Sequence, residues 1–476
     1  MVFRQLARDS VIYGGADFVS KIAAFLAFPL IATVLSPLAF GALELMLTAT
    51  ALLGVIANCG LNNAVQRFYW DAQTQPTERP ALVSSGLAAL SLLLLGALAL
   101  GCIAVLTYTH WPHEKSPPLG WIGLLAGLVL MVAGQVVQYL LDVTRLHLAP
   151  WRFAGIALAS RVMTAVAGVT TVVWLGWGLD GLIAAQALVM LAAVPLALYV
   201  VRTDLTWKVE QAVARKLMHF GHPFIYAGLA YWLFGSMDRW MLASMSSLEE
   251  VGIYSVAFRF ASVVLFISAA FGQAWSPVAI KIRTDHPDTY RAIYGHILLL
   301  LLFFMLAVGG GLALFSGEVV NLIMPPEYLP SALPLAILCF SIILQSTQQV
   351  TAVGISLEKK TYLFARMAWI AAIVNFIGNC LLIPNFGAAG AAWATLISYA
   401  VLMVSFMLYT QRLHPLVVQW WRLGILIALG TIVASVSFTM ISHTFIWYIV
   451  SIKIIIAVLF LILGWRMLPI AFFKSI

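Results

Sequence analysis

Five cationic side chains stand inside long apolar runs of this sequence: Lys21, Arg161, Arg239, Arg259 and Lys453. Asp17, Glu44 and Asp238 share such surroundings, and Asp142 stands at the end of another run. In hydrocarbon each of these charges costs about 2.5–3.5 kcal/mol on insertion scales, so each must meet a partner, water or a ligand. Lys21, Arg161 and Arg259 fall deepest, near mid-membrane, whereas Arg239, Asp238 and Glu44 fall near run ends. Asp17 and Lys21 are four residues apart on one helix face, where they either neutralise each other or face a cavity. Arg161 and Arg259 have no acid in their own helices, and arginine does not shed its proton. Their options are a polar interior, an acid on another helix, or a ligand. Lys453 reads as snorkelling or packed structurally. Because arginine offers bidentate contacts to phosphate oxygens, the excess of central cations points to an anionic cargo.

Amides form the second group. Gln135 and Gln138 lie in the fourth apolar run, Gln345, Gln348 and Gln349 in the tenth, and Asn375 and Asn379 share a face of the eleventh. Amides tie membrane helices together, or else line a cavity and bind sugar hydroxyls and phosphate oxygens. Trp111, Trp121 and Trp447 read as interfacial anchors. Cys59, Cys102, Cys339 and Cys380 all fall in apolar runs without metal or redox spacing and read as small hydrophobes. The sequence has no Walker loop, nucleophile elbow, HExxH or other metal-ligand spacing, so neither catalysis nor a cofactor is expected.

The elements that hold these residues follow from composition. Of 476 residues 63% are hydrophobic and 9% charged, against about 25% charged in a soluble domain. The expected fold is an all-α polytopic membrane protein of about 14 transmembrane helices. Spans are expected at 10–35, 39–64, 81–106, 119–142, 153–176, 179–201, 219–245, 250–275, 291–315, 331–356, 362–384, 387–410, 421–441 and 445–466. With the N-terminus in the cytoplasm, twenty lysines and arginines fall in inner segments and Lys115 alone in an outer loop. The net charge of +8 is therefore an orientation signal, and no nucleic-acid partner is expected.

The chain also repeats. LSPLAFGALELM and MSSLEEVGIYSVAF precede the second and eighth spans, and GLDGLIAAQAL and GAAGAAWATLI the sixth and twelfth, at offsets of 211 and 209 residues. Two six-helix bundles, 1–202 and 219–412, follow, related by an axis along the membrane normal, with two appended helices in 413–476. Leu205, Val209, Val213 and Leu217 recur every four residues in 203–218, an amphipathic cytoplasmic linker helix expected on the inner membrane surface.

On LSPLAFGALELMLTATALLGVIANCGLNNAVQRFY, SMDRW, VGIYS and QAWSP, the chain resembles the multidrug/oligosaccharidyl-lipid/polysaccharide (MOP) exporter superfamily, specifically its polysaccharide (Wzx-type) flippases. The fourteen-helix arrangement is similar to the lipid II flippases. This resemblance implies two bundles forming a V around a cationic central cavity, and alternating access for a polyprenyl-diphosphate-linked oligosaccharide. It implies a monomer in the bacterial inner membrane, with both termini cytoplasmic, serving polymerases and glycosyltransferases of one pathway. Substrate contacts are expected from Lys21, Arg161, Arg239, Arg259, Gln135, Gln138, Gln345, Gln348, Asn375 and Asn379, and ion coupling from Asp17 or Asp238. A proton- or sodium-coupled multidrug exporter is the nearest rival; it would call for central acids where this chain has central cations. A membrane glycosyltransferase or ligase would need larger outer loops.

Overall fold

The computed structural model describes residues 2–72, 74–110, 119–147, 149–358, 360, 362–441 and 446–468. Lys115, Lys359, Lys474 and Trp111 lie outside them. The chain is all-helical. Its first half comprises α1 (Val2–Ala32), α2 (Pro37–Asn58), α3 (Leu61–Tyr69), α4 (Arg79–His110), α5 (Trp121–Leu146), α6 (Pro150–Val169) and α7 (Gly178–Val201). The short α8 (Gln211–Gly221) leads into α9 (Pro223–Met245) and α10 (Leu248–Asp285). There follow α11 (Tyr290–Leu314), α12 (Ser316–Ile323), α13 (Ala332–Ser346), α14 (Gln348–Leu357), α15 (Tyr362–Leu413), α16 (Trp420–Thr439) and α17 (Trp447–Met467).

Twelve segments among the described residues are long and apolar enough to cross a membrane. One of them, α15, has 52 residues, about 78 Å of helix at 1.5 Å per residue against roughly 30 Å of hydrocarbon. Pro384 and Gly387 (φ 51°, ψ −129°) divide it into two spans. With α15 taken twice, thirteen result; α9, where the seventh span is expected, is 23 residues long but is not among the twelve. Side chains such as Leu92 (71% exposed) and Leu100 (66%) lie on the surface of α4, where only hydrocarbon covers them without cost.

The repeated motifs carry repeated local structure. The Ser36 hydroxyl caps α2 by accepting from Ala39 N, and 211 residues later the Ser247 hydroxyl caps α10 by accepting from Glu250 N. Gly178 (φ 65°) and Gly387, 209 residues apart, both take the left-handed conformation that glycine alone adopts freely.

By Cα packing the chain divides into two compact units, Met1–Met237 and Asp238–Ile476, with the division inside α9. In the first unit α5 is the hub, touching α2, α3, α4, α6 and α7, while α1 is held mainly by α6. In the second, α13 touches α10, α11, α15 and α16. The appended α16 and α17 pack on α11 and on each other.

Two local features differ from the expectation. The second span ends at Asn58, because Cys59 (φ 49°) and Gly60 (φ 65°) turn the chain into the separate helix α3. The linker helix starts at Gln211 and not at 203. Ser84 and Ser85 accept the backbone N–H groups of Thr206 (2.8 Å) and Glu210 (2.9 Å), which holds the preceding segment as a strap. The apolar face of α8 is taken up by the protein itself: Leu217 is fully buried against α3 and α4, with Val213 and Met218 beside it.

Candidate functional site

In the first unit the polar residues of five helices join into one network. Along α5, Gln135, Gln138, Asp142 and Arg145 follow at three- and four-residue spacings, so they form a stripe on one face. Asp17 of α1 accepts from Arg161 Nη1 of α6 at 2.6 Å and lies 3.6 Å from Arg145 Nη2. Arg161 Nη2 donates to Gln138 Oε1 (3.3 Å), and Gln138 Nε2 donates to Asp142 Oδ1 (3.1 Å). Asp142 also accepts from Arg145 Nη1 (3.1 Å) and from Asn62 Nδ2 (2.6 Å). Asn58 Nδ2 closes the chain, 2.9 Å from Asn62 Oδ1 and 3.2 Å from Gln135 Oε1. The two guanidinium groups face two carboxylates, so within this network charge is balanced. Beside it, between α3 and α5, opens a cavity of about 270 Å³.

The second unit holds a different kind of acid. Asp238 of α9 accepts from Tyr254 Oη of α10 (2.7 Å), from Asn379 Nδ2 (2.6 Å) and from Thr395 Oγ1 (3.1 Å), the last two on either side of the α15 break. These hydrogen-bond donors are all neutral. Asn379 also reaches Asn375 Oδ1 at 3.1 Å, while its own Oδ1 is buried with no hydrogen-bond partner. Arg239 is buried, with its Nε 3.3 Å from Ser255 Oγ and its guanidinium 4.9 Å from the centre of the Phe258 ring.

The other expected residues are scattered. Lys21 is exposed on α1, and Arg259 is half-buried eleven residues after the start of α10. Gln345, Gln348 and Gln349 are half-buried where α13 gives way to α14. Glu44 is buried on α2. Lys453, 1% exposed, bonds both carboxylate oxygens of Glu318 on α12, at 2.6 and 2.8 Å. Sequence reasoning missed Asn58, Asn62, Arg145, Tyr254, Thr395 and Glu318 as partners. The spacings of Asn58 and Asn62, four residues apart, and of Asp142 and Arg145, three apart, announced those links; the other links join different helices.

An all-helical chain with twelve apolar segments among its described residues, and with charge held inside them, is a many-span membrane protein by architecture. It is similar to the lipid II flippase MurJ in an inward closed conformation, with a TM-score of 0.72 at 14% identity over 96% of this chain and 98% of that one. It is also similar to an inward-facing multidrug resistance MATE family transporter of the MOP superfamily, with a TM-score of 0.59 at 14% identity over 86% of this chain and 96% of that one. At such identities the likeness shows the fold. Residues 6–283 match a family model, and the chain belongs to that family, described as polysaccharide biosynthesis protein. A probable low-salt glycan biosynthesis flippase of Haloferax volcanii is 24% identical over 226 residues, 47% of this chain and 48% of that protein. The chain spans about half the length of the curated relatives it matches.

Proposed function

We propose that this chain is a flippase, carrying a polyprenyl-diphosphate-linked oligosaccharide from the cytoplasmic to the outer leaflet of a cytoplasmic membrane by alternating access, with both termini in the cytoplasm. One observation carries the proposal: a member of the polysaccharide biosynthesis family keeps a charged, amide-rich network inside its spans. The lipid tail stays in the bilayer while the head group crosses. Lys21 of α1 and Arg259 of α10, each taken within its own unit, are the candidate cations for the diphosphate. Arg161, bound to Asp17 and Gln138, positions the amide stripe of α5. Gln345, Gln348, Asn375 and Asn379 supply polar contacts in the second unit, and Arg239 braces α9 against α10.

The two candidate coupling acids differ in their surroundings. Asp17 already faces two guanidinium groups. Asp238 is held by neutral hydrogen-bond donors, which makes it the candidate site for a coupling proton or monovalent cation. An inside-negative potential adds about 2.3 kcal/mol per 100 mV for each uncompensated negative charge moved outward.

The expected result is that Lys21→Ala and Arg259→Ala each lower surface glycan at least tenfold in cells that depend on this protein, with normal amounts of inserted protein. Flow cytometry with a glycan-specific antibody, beside a membrane immunoblot, measures both. Normal surface glycan from both variants would remove the cations from the binding role.

A further inference from the structure

The cavity between α3 and α5 is built from two facing stripes. α3 contributes Asn62, Asn63 and Gln66, and α5 contributes Gln138, Asp142 and Arg145. Val65, Val143 and Leu146, all buried in the core of the first unit, form the apolar floor of the same cavity. The back of the cavity is set before any ligand arrives, because Asn62, Gln138 and Arg145 all bind the Asp142 carboxylate. Asn63 and Gln66 are different. Both are exposed, and neither amide has a hydrogen-bond partner among the described residues. α3 can present them because its other face, Leu61, Ala64, Val65 and Tyr69, is buried in the core of the first unit.

The electrostatics choose the class of ligand. Within the lining Asp142 opposes Arg145, so it has no excess charge with which to hold a diphosphate. It offers instead amide donors and acceptors, a fixed carboxylate and some apolar surface. That combination matches a pyranose ring, whose rim of hydroxyls both donates and accepts and whose C–H face is apolar. At about 270 Å³ the cavity lies just under the ~300–1,000 Å³ typical of drug-sized ligands, room for a single ring.

We propose that this cavity is a subsite for one neutral pyranose ring of the transported glycan, with Asn63 and Gln66 as the side chains that determine which sugar is accepted. The assignment rests on the flippase reading. It divides the labour within the head group, the sugar meeting balanced amides at this cavity and the diphosphate meeting the deep cations. Asn63 and Gln66 carry no structural bond, so their replacement tests recognition without disturbing the fold.

Two probes test it on the purified full-length protein in lipid nanodiscs: bare undecaprenyl diphosphate, and the lipid-linked glycan that accumulates in cells lacking this protein. The wild type is expected to bind the glycan-bearing lipid at least tenfold more tightly than the bare one. The Asn63→Ala/Gln66→Ala double variant is expected to lose that preference while binding bare undecaprenyl diphosphate as the wild type does. An unchanged preference in the double variant would overturn the subsite and leave the flippase reading standing. Failure of the wild type to bind either lipid would overturn the flippase reading, and the subsite with it.

Discussion

Replacing Glu318 by alanine is expected to destabilise the protein by about 3–5 kcal/mol, the cost of leaving one member of a buried ion pair alone. Lys453 is 1% exposed and Glu318 5%, and both carboxylate oxygens lie within 2.8 Å of Nζ. The pair ties α17 to the short helix α12, so the loss should appear as early release of the C-terminal helices. Lys453→Ala should cost a similar amount for the mirror reason. The Lys453→Met/Glu318→Leu double variant removes both charges at similar volume, and such replacements are often neutral or stabilising. Thermal unfolding in detergent, followed by tryptophan fluorescence, should therefore show two early transitions for the single variants and a near-normal one for the double. Additive losses in the double variant would mean that the two side chains act independently.

The second large effect is expected at Asp238. Asp238→Asn keeps the shape and removes the charge, so ion-driven transport should fall at least tenfold in proteoliposomes, with unfolding temperature nearly unchanged. Asp238→Ala should add a stability loss. It strands the Tyr254 hydroxyl and the Asn379 amide, and each buried group left without its partner costs about 1–3 kcal/mol. Transport by Asp238→Asn with the ion dependence of wild type would transfer the coupling role elsewhere. Asp17 is the other candidate, but its two arginine partners make Asp17→Asn a loss of structure first.

Hydrophobic run length alone was sufficient to read the many-span all-α fold, since the physics of burying a backbone in lipid leaves so few alternatives. Serine caps at Ser36 and Ser247 and positive-φ glycines at Gly178 and Gly387 stand at the motifs from which the repeat was read. The kink at Cys59–Gly60 was not legible, because both flanks are apolar and a reversal in the sign of φ leaves hydropathy unchanged. The strap before α8 was missed because serine hydroxyls of α4, more than 120 residues away in the chain, hold it.

For the site, the sequence announced which residues needed partners but not which partners they would find. Spacing offered Lys21 to Asp17, and the structure adds Arg145 and Arg161 from two other helices. Arg161 stood in the sequence as a cation without an acid, and tertiary packing supplies one 144 residues away. Glu318 drew no attention, lying in what read as a loop between spans, yet it is the acid that satisfies Lys453.

Translocation by the purified protein alone decides whether this chain is a flippase. Reconstituted into liposomes with a polyprenyl-diphosphate-linked saccharide, it should expose the inner-leaflet pool to a membrane-impermeant glycosidase. Exposure should be complete within minutes and absent from Arg259→Ala liposomes. A saccharide that stays protected, while an organic cation such as ethidium crosses in response to a proton or sodium gradient, would contradict the proposed function and make the chain a drug exporter.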